Sequence, residues 1–168
     1  MEAMYFYSTN IAWTGERHGD LCAPVLPCLQ VDAPPEFKGH EGVWTPEHLF
    51  VGAINSCFMT TFVAIAENSK LDFVDFDCKA TGKLKKQDGA GLMMTLIVLR
   101  PRLTIRDARD EERAFRILQK AERHCLIANS VKTTIRLEPE IKVAEGTRRI
   151  ISSLPFPPGE DRREVAKL

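Results

Sequence analysis

The chain has no net charge: Lys plus Arg and Asp plus Glu both number 23 in 168 residues. It therefore has no positive field to gather phosphates, and no basic run is longer than the pairs Lys85-Lys86, Arg148-Arg149 and Arg162-Arg163. Nucleic acid is not an expected partner. The N-terminus "MEAMYFYSTNIAW" lacks a basic segment followed by an apolar run, and no stretch reads as the roughly 20 uninterrupted apolar residues of a membrane span. The expected location is the cytoplasm, with no membrane partner. None of the five cysteines (Cys22, Cys28, Cys57, Cys78, Cys125) forms a C-x-x-C pair or shows zinc-ligand spacing, and five is an odd number. Structural disulfides and zinc are not expected. Internal repeats and low-complexity segments are also missing.

What is there suits one domain of ordinary size, over 1–145, with 146–168 as a charged, proline-interrupted C-terminal tail or arm. Hydrophobic residues make up 44% and charged residues 27%, as in soluble globular proteins. The patterning predicts a strand over Tyr5 to Trp13, a turn at "TGERHGD" and an extended segment over Leu21 to Val31. A loop rich in Pro and Gly then leads to one long helix, Thr45 to Lys70. Two strands, Phe73 to Lys85 and Leu92 to Ile105, are joined by "KQDGAG", which has the glycines a hairpin turn needs. Asp107 can cap a second helix, in which Ala114, Ile117, Leu118, Ala121 and Cys125 recur on one face. A last strand, "KTTIRLEPEIKVA", follows. This order predicts an α+β fold, an antiparallel sheet packed on helices.

The long helix "TPEHLFVGAINSCFMTTFVAIAENSK" is apolar around most of its circumference, through Phe50, Val51, Ile54, Phe58, Phe62, Val63 and Ile65. Such a helix must be covered on several sides, and one sheet covers only one of them. An intimate homodimer is expected.

Cys57 lies near the middle of this helix and Cys125 ends the apolar stripe of the second. If both stripes turn to one core, the two sulfurs meet. Two readings stand: a pair of small buried core cysteines, or a reactive pair. Glu47 in the first helical turn and Arg17 in a glycine-flanked turn favour the second. A thiol of ordinary pKa, about 8.5, is only roughly 3% thiolate at pH 7, and a nearby guanidinium raises that fraction. A carboxylate can hold the guanidinium in a bidentate pair. Cys78 alternates with Asp77 and Lys79 and reads as a small buried hydrophobe on a strand; Cys22 and Cys28, in the proline-punctuated "LCAPVLPCLQV", carry no assigned role. His18, His40, His48 and His124 are formal candidates for the base of a cysteine hydrolase, but no carboxylate is evidently placed to orient any of them.

These contexts resemble the OsmC/Ohr family of osmotically induced and organic hydroperoxide resistance proteins. The resemblance rests on "TPEHLFVGAINSCF", a Pro-Glu-x-Leu helix start with a cysteine ten residues after the glutamate. It rests also on "AERHCLIANSV", a second cysteine near the end of the next helix, and on "WTGERHGD", an N-terminal turn with Gly-x-Arg-x-Gly. The order of elements matches from about Tyr5 to Val143. Leu126 stands where many relatives have proline, and the tail beyond Gly146 has no counterpart.

The resemblance implies an OsmC-like fold, antiparallel sheets wrapped around long central helices in a homodimer, with no metal or prosthetic group. It implies that Cys57 attacks the peroxide, that Cys125 resolves the product, and that Arg17 with Glu47 activates Cys57. Substrates would be organic hydroperoxides and the reductant a dithiol, in some relatives a lipoyl group. Phe50, Ile54, Phe58 and Phe62 are candidate pocket walls. Glu47 cannot reach the thiol of its own helix, since ten residues rise roughly 15 Å; antiparallel packing of two such helices would bring Glu47 of one subunit towards Cys57 of the other. The alternative reading is a redox-silent relative that binds a small apolar ligand or acts as a scaffold.

Overall fold

The computed structural model describes residues 3–87, 89 and 91–144. The expected tail over 146–168, and the domain end at 145, lie outside the described residues. Two compact units divide the chain, Met1–Phe50 and Val51–Leu168.

The N-terminal unit is a three-stranded antiparallel sheet in the order β1 (Asn10–Gly15), β2 (His18–Cys22), β3 (Leu29–Val31). The first strand starts at Asn10 rather than Tyr5. The extended segment expected over Leu21 to Val31 divides in two, because the chain reverses after Cys22, with Leu26 N–H donating to Ala23 O at 3.2 Å and Val25 at φ 59°. Cys22 and Cys28 are joined in a disulfide, contrary to the expectation from cysteine count. The reason is register: Leu21 faces Leu29 across the antiparallel pair, so the next residues in line, Cys22 and Cys28, face each other. After β3 the chain makes a short 3-10 turn at Pro35–Phe37 and folds back so closely that a Cβ on Gly39 would lie 1.6 Å from Ala33 O. Only glycine fits there.

Helix α1 (Pro46–Asn68) runs from the first unit into the second. Thr45 caps its start, the hydroxyl accepting from His48 N–H at 3.3 Å, with Pro46 in the first helical position. Its end is a Schellman turn: Leu71 N–H donates to Ala66 O and Lys70 N–H to Glu67 O, both at 2.9 Å, with Lys70 left-handed at φ 53°.

In the second unit, strands β4 (Phe73–Gln87) and β5 (Gly91–Ile105) form the expected antiparallel hairpin, with Gly89 and Gly91 at positive φ in its turn. Helix α2 (Glu111–His124) follows. The last strand differs from expectation in two ways. It is broken into β6 (Thr134–Leu137) and β7 (Glu140–Val143) at Pro139, which has no N–H to donate. Both pieces run parallel to β5, so the sheet is mixed rather than antiparallel. A parallel return needs a long crossover, and α2 supplies it.

One stripe of α1 sets its rotation on this sheet: Ile54, Phe58, Phe62 and Ala66, at intervals of four, are all fully buried. Phe62 stacks on Phe76 at 4.7 Å and meets Phe73 edge-on at 5.3 Å, while Asn55 Nδ2 donates to Cys78 O at 2.9 Å. Close approach is possible because β4 has Gly82, where a Cβ would lie 2.8 Å from Val51 Cγ2. The rest of α1 is half-buried or exposed. By length and composition it is apolar enough to cross a membrane, contrary to the reading of the sequence, yet only 22% of that apolar window is buried within the chain. A helix packed in a protein core passes the same test of composition.

Replacing Phe62 with Ala should cost about 3–5 kcal/mol in urea unfolding, as for other buried aromatic rings. Lys70→Gly should instead stabilise by a few tenths to about 1 kcal/mol, by relieving a left-handed residue.

Candidate functional site

Rotation of α1 by its buried stripe places Cys57 beside Phe58 at the stripe's edge, partly exposed. Cys125 follows the last residue of α2 and is fully buried, at the end of the stripe Ala114, Ile117, Leu118 and Ala121. Its backbone N–H still donates to Glu122 O at 3.3 Å; the chain then leaves the helix and enters a 3-10 turn at Ala128–Ser130. Asn129 secures this turn, with its N–H on Cys125 O at 3.0 Å and its side-chain Nδ2 on Arg123 O at 2.9 Å.

The turn aims backbone donors at sulfur. Ile127 N–H points to Cys57 Sγ at 3.5 Å, and Cys125 Sγ lies 3.9 Å from Ile54 O. The two thiols are near enough for each to shift the other's acidity. The environments pull the two acidities apart. For Cys57 burial raises the pKa, but donors from Ile127 N–H, the Cys125 thiol, the Thr61 hydroxyl and Leu126 N–H outweigh it, and the thiol is more acidic than normal. For Cys125 burial dominates and the neighbouring Cys57 adds to it, pushing the thiol up to about 11 against the N–H groups of Ala128 and Ile127. Burial likewise pushes Cys78 up to about 12. Cys57 is thus the more acidic of the two thiols, and Cys125 the one that holds its proton to higher pH.

The other expected site residues belong to the N-terminal unit. Arg17, exposed in the β1–β2 turn, donates through Nη1 to Phe37 O, not to a carboxylate. Glu47 Oε2 is buried with no hydrogen-bond partner among the described residues. Within one chain no Arg17–Glu47 ion pair is present among the described residues: the turn, with Glu16 at φ 45°, delivers the guanidinium to the 3-10 turn at Pro35–Phe37. Ile54, Phe58 and Phe62, expected as pocket walls, are core residues packed in the second unit. The donors around Cys57 escaped sequence reasoning because two of them are backbone groups. Thr61, one helical turn on from Cys57, was the readable signal.

Among the histidines, His48 Nδ1 bonds Thr45 Oγ1 at 3.0 Å and His124 Nδ1 lies 2.8 Å from Lys120 O. His18 and His40 do have an orienting carboxylate, contrary to expectation: Asp32 Oδ2 lies 3.4 Å from His18 Nε2 and 2.9 Å from His40 Nδ1.

The second unit is thus an α+β fold in which Cys57 on α1 and Cys125 just past α2 lie close together. The family model for "OsmC-like protein" matches residues 39–140, and the chain belongs to that family. It is similar to the uncharacterized protein YmaD of Bacillus subtilis, 25% identical over 139 residues that span 80% of this chain and 91% of that one. Among solved structures it resembles an OsmC-like protein of unknown function from Vibrio cholerae, with TM-score 0.75, 24% identity, and coverage of 81% of this chain and 99% of the other. An organic hydroperoxide resistance protein OsmC from Legionella pneumophila gives TM-score 0.69 at 21% identity, covering 84% of this chain and 100% of the other. These structural likenesses establish the OsmC-like fold.

Because the Cys57 pKa is lowered, its alkylation should rise with pH through a midpoint below the ordinary thiol value, while Cys125 and Cys78 stay unmodified to pH 9. Iodoacetamide rates with mass mapping measure this. Thr61→Val, which keeps shape and removes the hydroxyl donor, should move the midpoint upward; an unmoved midpoint would remove Thr61 from the site.

Proposed function

We propose that this protein is a thiol-dependent peroxidase that reduces organic hydroperoxides through Cys57 and Cys125. The observation that carries the reading is the pair of neighbouring, unlike thiols, one half-open, contacted by Ile127 N–H and made more acidic, the other buried and made less acidic. Structural relatives described as organic hydroperoxide resistance proteins, from Legionella pneumophila and Elizabethkingia anophelis, agree with it.

The chemistry balances in two steps. The Cys57 thiolate attacks the outer peroxide oxygen; the S–O bond forms as the O–O bond breaks, and the departing alkoxide takes a proton to leave as alcohol. Sulfur is oxidised by two electrons to a sulfenic acid. The Cys125 sulfur then attacks Cys57, forming the disulfide, while its proton and the sulfenic hydroxyl depart as water. An external dithiol, such as a lipoyl group, restores both thiols and is itself oxidised to a disulfide. Proximity explains why the second step precedes over-oxidation: the resolving thiol already lies beside the attacked sulfur. No cofactor is required by these steps.

Arg17 and Glu47 enter this reading as charged helpers of Cys57 on the family resemblance alone. A homodimer is part of the proposal too, because the apolar side of α1 left open in one chain needs cover. The cytoplasm, which supplies reduced dithiols, is the proposed location. The alternative, a redox-silent relative that binds a small apolar ligand or acts as a scaffold, predicts no peroxide turnover in the assay below.

With dithiothreitol or dihydrolipoamide as reductant, cumene hydroperoxide should be consumed faster than hydrogen peroxide. Cys57→Ser should abolish turnover, and Cys125→Ser should trap the sulfenic acid or over-oxidise. A folded, reduced protein that consumes neither peroxide contradicts the proposal. If Arg17 assists, Arg17→Ala should slow Cys57 alkylation at pH 7 with little loss of stability, since the residue is exposed.

A further inference from the structure

The N-terminal unit holds a second cluster of chemistry-bearing side chains, which the peroxidase reading does not use. Glu16 and His18 stand on either side of Arg17 in the β1–β2 turn, and His40 comes from the loop that Gly39 folds back against Ala33. One ligand atom from each of Glu16, His18 and His40 lies within 4.8 Å of the others, and His40 Nε2 is 3.8 Å from Glu16 Oε2. The imidazole rings are 4.7 Å apart, tilted by 34°.

Behind them lies a fully buried carboxylate. Asp32 Oδ1 accepts from Ala33 N–H at 2.7 Å; Oδ2 accepts from His40 N–H at 2.8 Å and sits against His40 Nδ1 at 2.9 Å and His18 Nε2 at 3.4 Å. One anion thus fixes two imidazoles, and each ring keeps a second nitrogen that this carboxylate does not engage. A carboxylate behind a histidine is the arrangement that orients metal-bound imidazole and makes it a better donor.

From this geometry we infer a divalent-cation site of the Zn²⁺ class, with Glu16, His18 and His40 as ligands and Asp32 as the buried orienting group. Charge supports the assignment. With neutral imidazoles the four side chains carry two negative charges, and their described contacts are with imidazole and backbone N–H rather than lysine or arginine. A dication neutralises them. Two imidazoles and one carboxylate form a donor set for borderline metals such as zinc, with at least one position left to water. Ligands at about 2.1 Å from one ion are at most roughly 4.2 Å apart, so any pair near the 4.8 Å limit must close slightly. The outward side chains of Glu16 and His40, 77% and 56% exposed, have the freedom to do so. The sequence concealed the site because its ligands come from positions 16, 18 and 40, a spacing that matches no short zinc motif.

The test is titration of the reduced full-length protein with Zn²⁺ at neutral pH in a non-chelating buffer, followed by calorimetry and by metal content after gel filtration. One equivalent should bind saturably. Cys57→Ser with Cys125→Ser should leave binding unchanged, which separates this site from the thiol pair. His18→Ala and His40→Ala should each weaken binding at least about 10-fold, and Asp32→Asn by about 10- to 100-fold as an orienting residue. Should Asp32→Asn fail to fold, Glu16→Gln tests the same site from its most exposed position and should weaken binding too. Co²⁺ substitution should give visible bands without the intense near-ultraviolet absorption of thiolate ligation. No saturable binding to folded protein, affinity unchanged by the histidine substitutions, or binding lost with the cysteines would each overturn the assignment.

Discussion

The thiol pair depends on how α1 is seated. Ile54, Phe58, Phe62 and Ala66 bury one stripe of the helix, and each large apolar side chain contributes about 1.5–3 kcal/mol by leaving water. That contribution exceeds what any single hydrogen bond near Cys57 adds, so packing fixes the rotation and the polar contacts follow. Once the stripe is down, a step of about 100° per residue puts Cys57 at its margin. The same logic on α2 puts Cys125 at the end of a buried stripe, against Ile54 O. Both sulfurs come together because both stripes belong to one core.

Opposed acidities within one contact arise from unequal access to donors. Cys125 is fully buried, and burial decides its pKa. Cys57 is partly open and collects the first N–H groups released where α2 ends, Leu126 and Ile127, with Thr61 from its own helix. A helix end leaves carbonyls without intrahelical partners, but the turn beyond it presents N–H groups in sequence, and a developing thiolate is a suitable acceptor for them. Leu126 matters here: proline, which many family members have at this point, has no N–H to give.

Much of this was readable from the residues. The long helix, the β4–β5 hairpin and the amphipathic stripe ending in Cys125 followed from periodicity, because burial imposes a period that survives in the sequence, whereas the meeting of the two thiols was conditional on both stripes sharing one core and took its support from the family resemblance. Strand direction did not follow. Nothing in "TIRLEPEIKV" distinguishes a parallel return from an antiparallel one, and only α2 as a crossover settles it. The Cys22–Cys28 bridge was hidden because it depends on hairpin register, set by a turn with Val25 at positive φ that a β-branched residue rarely signals. The Asp32 cluster was hidden for a related reason: a loop of eight residues returns His40 to Asp32, and the closing contact is a glycine against a backbone carbonyl. The expected Arg17–Glu47 pair rested on charge complementarity and the family resemblance, neither of which fixes where a turn aims its side chain, and within one chain Arg17 meets the backbone carbonyl of Phe37.

The measurement that reaches the central claim most directly is mass mapping of disulfides after one equivalent of organic hydroperoxide is added to the reduced full-length protein. Contact between an acidic Cys57 and a protonated Cys125 predicts an intramolecular Cys57–Cys125 bond as the first stable product, formed at substoichiometric peroxide and reversed by a dithiol. Recovery of Cys57 as free thiol, as sulfinic acid beside a free Cys125, or bridged to Cys78 would contradict it.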